Sequence, residues 1–478
     1  MLISIVLYLL LGYIVWSFLE KNVIGIRNKV KGPLSLPIIG NLHQFASPHF
    51  TFDQMANQYG SVFRVWMGDF YALIINDIDL YKGIYVKNNK LFINRPLSPG
   101  FQRISGDFKN IIHSPNPVWG ENKDLVKHNF TNKALVGPTK PIFEKHMKIL
   151  VDKMDEAYDQ SKLFDTKYYI ERCHMNMVLD FFTSSHVGYE HDSDEWVAKF
   201  NDSLIGVVED ARYGDILSSV GFLSPLYKRK LAGKRPSNQN IIDYLDVELK
   251  KHKETYNPEL KRDIMDALIT SFDESKHDRI NYIIHDFFLA GVESQVCCCE
   301  WFFIYLSTRP EIQNKAYEEL KSVFGDSKVV DYSMKNKTPY VNSIIKELLR
   351  IKTPLPLSIP RIAEEDVTIN GIFIPAHTLI IPNMYHIHRN EKYWSKPTEF
   401  DPERFMVENE TSLPYIPYGL GERGCIGLNI ANSCLYHVIA TVLLNYSFSS
   451  KTLLSLEEQS DLVIHPKNRS INVILKKR

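Results

Sequence analysis

The chain opens with an apolar segment that stands apart from everything after it. Residues 2–19 carry no charged side chain, and a run of this length lies at the lower limit of what spans a hydrocarbon core of about 30 Å. Lys21, Arg27 and Lys31 follow it, and a positive flank of this kind faces the cytosol. A cleaved secretory signal is the alternative, but no basic region precedes the segment and no small-residue cleavage site follows it. The pattern therefore predicts a membrane anchor at residues 1–20.

A short basic and proline-containing segment comes next. Pro33 and Pro37 stiffen the backbone and exclude a helix around them. We interpret residues 21–40 as a hinge that sets the body of the protein against the membrane. No internal repeat and no low-complexity linker follows, so we expect residues 41–478 to form one catalytic domain.

The body shows mostly the spacing of amphipathic and buried helices. Short β-branched runs predict strands at Val62–Met67, Ala72–Ile75, Val367–Ile369 and Leu379–Ile381. Asn370 and Gly371 have the residue types of a tight hairpin turn. The pattern predicts a mainly α fold with small β-sheets.

Composition narrows the function classes. A net charge of zero gives no reason to expect a nucleic-acid partner. Aromatic residues make up 12% of the chain, which suits a large apolar pocket. The six cysteines form no CxxC pair, which argues against a disulfide framework or a structural zinc site and fits a reducing compartment.

One cysteine stands inside a glycine-rich loop near the C-terminus. The loop reads Tyr418-Gly419-Leu420-Gly421-Glu422-Arg423-Gly424-Cys425-Ile426-Gly427. Its glycines allow the chain to fold closely around the sulfur, and the helix pattern from Leu428 to Leu444 favours a thiolate at its start. An anionic sulfur beside Arg423 suits a metal or cofactor better than a disulfide. An incidental cysteine in a surface glycine loop is the alternative.

This loop resembles the heme-binding loop of the cytochrome P450 family. The family's pattern is Phe-x-x-Gly-x-Arg-x-Cys-x-Gly, in which x is any residue. Tyr418 replaces the Phe, and Gly421, Arg423, Cys425 and Gly427 occupy the other places. The resemblance implies the cytochrome P450 fold, a heme b cofactor, and Cys425 as the axial ligand of its iron.

A second motif is an acid and an arginine three residues apart. Glu347 and Arg350 lie on one face of a predicted helix with apolar neighbours. A buried pair needs further hydrogen bonds to offset its desolvation. The resemblance implies that Arg404 completes a structural triad with them.

A third motif lies in an apolar helix pattern between Asp278 and Leu306. Asp286, Glu293 and Glu300 recur every seven residues, which would line them up on one face. A solvated helix face is the alternative, but the rest of the stretch is too apolar for a surface. Residues 290–295 resemble the family's oxygen-activating segment, with Glu293 as the acid and Ser294 as the alcohol of a proton relay.

The resemblance also implies donors for the two heme carboxylates. Trp119 and Lys123 fall where the family has Trp-x-x-x-Arg. Lysine binds a carboxylate less well than arginine because it lacks the planar fork of N–H donors. Arg361 and Arg423 match the other usual donors. For Trp119 the alternative is core packing, and for Lys123 it is ordinary solvation.

The resemblance implies a monooxygenase that inserts one oxygen atom from O2 into an apolar substrate such as a lipid, sterol, terpenoid or xenobiotic. Electrons would come from NADPH through a separate flavoprotein reductase, because the chain has no nucleotide-binding or flavin segment. Lys123, Lys127, Lys133 and Lys140 are candidates for the docking surface. The resemblance is to the membrane-bound microsomal type and, with the anchor and its flank, implies a single-pass protein of the endoplasmic reticulum membrane with the catalytic domain in the cytosol. A heme-thiolate isomerase or dehydratase and a non-catalytic heme sensor are the alternatives.

Overall fold

Helices account for most of the chain in the computed structural model, which describes residues 1–24, 26–210, 216–407, 412–460 and 462–478. The α-helices are α1 Leu2–Asn22, α2 Pro48–Tyr59, α3 Ile78–Lys82, α4 Pro99–Ile104, α5 Val118–Val126, α6 Asn132–Asp159, α7 Thr166–Thr183, α8 Asp194–Asp210 and α9 Ile216–Ser219. They continue with α10 Ser224–Leu231, α11 Gln239–Glu254, α12 Ile264–Ser271, α13 Ile280–Gly291, α14 Glu293–Leu306, α15 Pro310–Phe324, α16 Pro339–Ile351, α17 Met384–Ile387 and α18 Leu428–Asn445. Short 3-10 turns join several of them.

The strands are short and form small sheets. They are β1 Val62–Met67, β2 Phe70–Ile75, β3 Phe164–Asp165, β4 Arg361–Ile362, β5 Val367–Ile369, β6 Ile372–Ile374, β7 Leu379–Pro382, β8 Tyr446–Ser449, β9 Glu458–Ser460, β10 Ile464–Pro466 and β11 Asn472–Lys477. The largest sheet has the order β1-β2-β7-β4. In it β2 runs parallel to β7, and β4 pairs antiparallel with β7 so that Arg361 lies opposite Ile380.

The predicted strands are confirmed to within two residues at either end. The hairpin of β5 and β6 turns at Asn370 and Gly371, both of which have positive φ. Two consecutive residues in that region define the tight turn that hairpins favour. The mainly helical fold with small sheets is therefore confirmed.

The core is built around α14 and α18. The side chains of α14 from Gln295 to Leu306 are all buried, and α14 packs against α7, α16 and α18. Apolar residues of these helices and of the adjoining strands form one continuous buried cluster. This core supports α13, the start of α18 and the loop before it, which carry the candidate site.

Helix α1 differs from the other long apolar helices. By length and composition, the stretches 3–22, 274–306 and 428–445 of the described chain are each long and apolar enough to cross a membrane. The second and third are mostly buried inside the protein, whereas the first is almost entirely exposed. Its C-terminal half contacts the body, where the Tyr13 ring packs edge-on against Phe222 and Lys21 Nζ donates to Gly68 O at 2.9 Å. An exposed apolar helix of this kind is consistent with the predicted anchor.

Candidate active site

The loop before α18 wraps around the sulfur of Cys425. The Cys425 N–H donates to Tyr418 O at 2.9 Å and closes the loop. Gly421 has φ +78°, and a Cβ at this position would lie 1.9 Å from Tyr85 O. Only glycine therefore fits at residue 421, because both the backbone angle and the close approach exclude a side chain.

The Cys425 side chain combines two properties that rarely occur together. It is exposed, whereas the other five cysteines are buried. Yet burial raises the pKa of its thiol, and the backbone N–H groups of Gly427 and Leu428 counter that only in part. A thiol that is both accessible and desolvated faces an internal space rather than the outer surface. The helix start contributes the expected N–H groups, and a metal cation bound at this sulfur would favour the thiolate further.

Arg423, two residues before the sulfur, is buried and donates only to backbone carbonyls. Its Nε reaches Ile93 O at 2.9 Å, and its Nη atoms reach Ile111 O at 3.1 Å and Ser114 O at 2.5 Å. Among the described residues no carboxylate forms an ion pair with it. Burial, with the nearby charges of Arg95 and Arg361, lowers the pKa of Arg423. An anionic ligand would therefore stabilise this buried, charged arginine.

Arg361 extends this group of cations. It is 3% exposed, its guanidinium lies 4.3 Å from the centre of the Tyr85 ring, and its Nη2 makes only a long contact of 3.4 Å with Leu420 O. Its Nη1 is buried and has no partner. Buried donors of a charged group normally have acceptors, so this orphaned N–H indicates a ligand group with acceptor oxygens.

Arg95 was missed by the sequence reasoning, although it joins the same group. Its guanidinium donates to Ile112 O, Ile359 O and Pro360 O. One signal for it is present in the sequence. Arg95 is a lone cation directly after a stretch that is mainly apolar and directly before Pro96.

Trp119 and Lys123 lie together on α5, beside Arg423. Trp119 is 5% exposed, with the Arg423 guanidinium 4.3 Å and the Lys123 Nζ 4.7 Å from its ring centre. Lys123 Nζ donates to Glu422 O at 2.9 Å and lies 3.9 Å from the Glu422 carboxylate. The structure thus brings the predicted donors Trp119, Lys123 and Arg423 together, with Lys123 at the exposed edge.

These residues fit a heme. The accessible thiol supplies a ligand for iron, and the buried arginines, one with an orphaned N–H, supply charged donors for two carboxylates. The residues around Cys425 therefore match the chemistry that the sequence motif implies.

The second motif forms a buried ion-pair cluster, as predicted. Glu347 and Arg350 are both fully buried and share two hydrogen bonds of 2.6 and 2.7 Å. Arg404 Nε reaches the same carboxylate at 3.3 Å. The remaining donors of Arg350 go to the carbonyl oxygens of His388, Pro397 and Glu399. This satisfied cluster has a structural role.

The long apolar helix of the third motif is interrupted beside the candidate site. Helix α13 ends at Gly291 and α14 begins at Glu293, with Val292 between them as a turn. Ser294 Oγ donates to Ala290 O at 2.6 Å across the interruption. Ala290 is exposed although its helix is largely buried. Ala290 therefore also borders an internal space.

Glu293 is bound by an arginine that the sequence reasoning did not connect with it. Arg469 Nη1 reaches Glu293 Oε1 at 2.6 Å, and its Nε reaches Glu300 Oε1 at 2.8 Å. Burial raises the pKa of Glu300 to about 7 despite this arginine. The seven-residue spacing of the two acids does place them on one face, and Arg469 pairs with both.

Asp286 lies on the other side of the interruption and makes different contacts. Its carboxylate accepts hydrogen bonds from the backbone N–H groups of Ile111 and Ile112, both at 2.7 Å, and from Asn110 Nδ2 at 2.8 Å. The segment of residues 110–114 is therefore held by Asp286 through its N–H groups and by Arg423 through its carbonyl groups.

Comparisons with known proteins agree with fold and site. The family model described as "Cytochrome P450" matches residues 30–473. Two curated relatives, both from Dictyostelium discoideum, are described as "Probable cytochrome P450 508A1" and "Probable cytochrome P450 519E1". Each is 31% identical to this chain, and each alignment covers at least 99% of both proteins.

Solved structures share the fold. A zebrafish cytochrome P450 determined with abiraterone matches with a TM-score of 0.77 and 24% identity, over 90% of this chain and 99% of that one. A second zebrafish structure, with progesterone, gives the same TM-score at 23% identity. The fold and the cysteine loop define a heme-thiolate class of protein. The chain belongs to the cytochrome P450 family, whose members are in general heme-thiolate monooxygenases.

Proposed function

We propose that this chain is a membrane-bound monooxygenase that inserts one oxygen atom from O2 into an apolar small molecule, with electrons from NADPH delivered by a flavoprotein reductase. The observation that supports the proposal most is the accessible but desolvated thiol of Cys425 together with the buried Arg361 and Arg423, which have no carboxylate partner among the described residues. Heme b would be held by Cys425 through its iron and by Arg361, Arg423, Trp119 and Lys123 at its carboxylates. When bound, it supplies the activation of dioxygen.

The hydrogen bond between Ser294 and Ala290 at the helix interruption positions a hydroxyl group for proton transfer. Because the Ser294 hydroxyl donates to Ala290 O at 2.6 Å, its oxygen lone pairs remain available to accept a hydrogen bond from water. Serine lacks the methyl group with which threonine fixes its rotamer. We propose Ser294 as the proton-relay alcohol, with looser coupling of electrons to product than threonine would give.

We assign the acid role to Glu293, with Arg469 as a positioning residue. The 2.6 Å contact to Arg469 Nη1 fixes the orientation of the Glu293 carboxyl group. An oriented carboxyl group next to the alcohol can bind and order water, which general acid–base catalysis requires.

The coupling prediction is tested with Ser294→Ala and Ser294→Thr. With a reductase and NADPH, we expect Ser294→Ala to consume oxygen but to form about tenfold less product per oxygen, the effect of losing one hydrogen bond of about 1.4 kcal/mol in a transition state. Ser294→Thr should match or exceed the wild type. Product and hydrogen peroxide are measured together, and equal coupling in all three proteins would contradict the role of Ser294.

The overall activity is tested by a substrate screen with reductase, in which product is detected by the mass gain of one oxygen atom. Oxygen consumption that depends on NADPH and reductase also separates a monooxygenase from a heme-thiolate isomerase, dehydratase or sensor. The proposal fails if no apolar substrate gains oxygen and none stimulates oxygen consumption.

We further propose that α1 anchors the protein in the endoplasmic reticulum membrane, that residues 21–40 act as a hinge, and that residues 41–478 form a cytosolic catalytic domain. The exposed apolar surface of α1 supports this arrangement.

The predicted docking lysines give weaker support for a reductase surface. Lys127 pairs with Asp124 at 2.7 Å, and Lys140 pairs with Asp331 at 2.7 Å. The side chain of Lys133 lies outside the described residues. Charge reversal of Lys140, which is not among the proposed heme donors, tests the surface through the salt dependence of reductase-supported turnover.

A further inference from the structure

The segment of residues 110–114 holds a histidine close to the candidate site. His113 is 6% exposed, and its ring stacks on Phe101 with centroids 4.3 Å apart and an interplanar angle of 22°. Because Asp286 and Arg423 hold the segment from its two sides, the ring has a fixed position.

The side chain of Asn110 determines which ring nitrogen of His113 carries the proton. Asn110 Oδ1 accepts from the His113 backbone N–H at 3.2 Å, so the amide nitrogen faces the other way. There Nδ2 donates to Asp286 Oδ1 at 2.8 Å and to His113 Nδ1 at 3.0 Å. An amide NH2 has two hydrogens, and both are used. His113 Nδ1 is therefore an acceptor, and the neutral ring carries its proton on Nε2.

The ring also stays neutral. Burial, with the charges of Arg95, His285 and Arg423, lowers the pKa of His113 to about 3. The Nε2–H is therefore a permanent donor at physiological pH.

The Nε2–H has no hydrogen-bond partner within the described part of the chain. The Nε2 atom is nevertheless not fully enclosed, so it keeps accessible surface. Phe101, which supports the ring, belongs to an apolar cluster that contacts Leu289, the neighbour of the accessible Ala290. The accessible polar donor therefore belongs to a ring that is more than nine-tenths buried and that stacks on an apolar cluster. Such a group fixes the orientation of an otherwise apolar ligand.

We propose that His113 is a specificity-determining residue whose Nε2–H donates a hydrogen bond to a carbonyl oxygen of the substrate. The protein would then select apolar molecules that carry a ketone or a similar acceptor. This inference rests on the proposed function only in taking the ligand in the internal space to be the substrate.

The test compares two probes that differ by one oxygen, cyclododecanone and cyclododecane, by spectral titration of the heme-loaded protein without reductase or NADPH. We expect His113→Phe, which keeps a ring against Phe101 but removes the donor, to lower the ketone-to-hydrocarbon affinity ratio by about two- to tenfold, the worth of one hydrogen bond. His113→Gln, which keeps an N–H donor, should retain part of the preference.

His285→Gln is the matched control, because His285 is a second buried histidine near the same segment but its Nε2 is enclosed. Its ratio should equal that of the wild type. An unchanged ratio in His113→Phe would overturn the proposal, and so would an equal loss of affinity for both probes. A changed reduction potential of the ligand-free protein with an unchanged ratio would instead assign the donor to a heme carboxylate.

Infrared spectroscopy gives a second measurement that does not depend on heme absorbance. The C=O stretch of bound cyclododecanone should lie at lower frequency in the wild type than in His113→Phe, and equal frequencies would contradict the hydrogen bond. Neither measurement needs oxygen turnover, so the failure of the proposed monooxygenase activity would be distinguishable from the failure of this inference.

Discussion

Two groups of buried arginines in this protein differ in the partners that compensate their charge. Arg350 is fully buried, and its donors reach Glu347 and carbonyl oxygens at lengths from 2.6 to 3.3 Å. Arg361 is almost equally buried, but it has one long hydrogen bond and an orphaned Nη1. Arg423 has acceptors, yet all of them are neutral carbonyl groups.

The presence or absence of a carboxylate partner distinguishes an arginine that stabilises the fold from arginines that are suited to bind an anionic ligand. A buried cation is costly unless a charge and hydrogen bonds compensate it. At Arg350 the chain supplies the carboxylate itself, through Glu347 three residues earlier. At Arg361 and Arg423 the described chain supplies no paired carboxylate, so the compensating anion has to come from outside the chain. The two carboxylates of heme meet that requirement.

The largest effect is expected from Glu347→Gln. The substitution leaves the buried Arg350 and the partly buried Arg404 without their carboxylate, and breaking a buried pair in this way costs about 3–5 kcal/mol. The free energy of unfolding, measured with denaturant on the heme-free protein, should fall by that amount. Glu403→Gln is the control, because its ion pair with Lys315 is half exposed on both sides and should contribute almost nothing.

Arg361→Met should affect the heme-free and the heme-loaded protein in opposite directions. Removing an uncompensated buried cation should leave the unfolding free energy of the heme-free protein unchanged or raised. Heme affinity should fall by about 10- to 100-fold, since hydrogen bonds to charged groups contribute about 1.5–3 kcal/mol.

Heme dimethyl ester, which lacks both carboxylate charges, is the matched ligand for that variant. The wild type should bind heme much more tightly than the ester, and Arg361→Met should lose most of this discrimination. An Arg361→Met protein that was destabilised without heme and still discriminated would place Arg361 with Arg350 as a purely structural residue.

The smallest effect is expected at the exposed edge of the cation group. Lys123 is partly exposed and its carboxylate contact is 3.9 Å long, so Lys123→Ala should lower heme affinity by less than about fivefold. Lys123→Arg should raise it slightly, because arginine presents a planar fork of donors to a carboxylate. A loss as large as that of Arg361→Met would mean that Lys123 is a principal carboxylate donor.

The fold and the loop around Cys425 could be predicted from the sequence because both depend on local patterns. Glycine and cysteine spacing predicted the Cys425 loop, and β-branched runs with Asn370-Gly371 predicted the strands and their turn. The roles of Arg95 and Arg469 were not predicted, because these side chains bind residues far away in the sequence. The partner of Glu293 lies 176 residues further on. Spacing shows which side chains share a face, but it does not show what packs against that face.

The proposed activity depends on Cys425 as the thiolate that holds heme iron. The most direct test is the carbon monoxide difference spectrum of the reduced, heme-loaded wild type and of Cys425→Ser. We expect the thiolate-type band in the wild type and its complete loss in Cys425→Ser, with heme still detectable in the wild type by its colour. A Cys425→Ser protein that kept the thiolate-type band, or a wild type whose iron was held by nitrogen alone, would contradict the assignment.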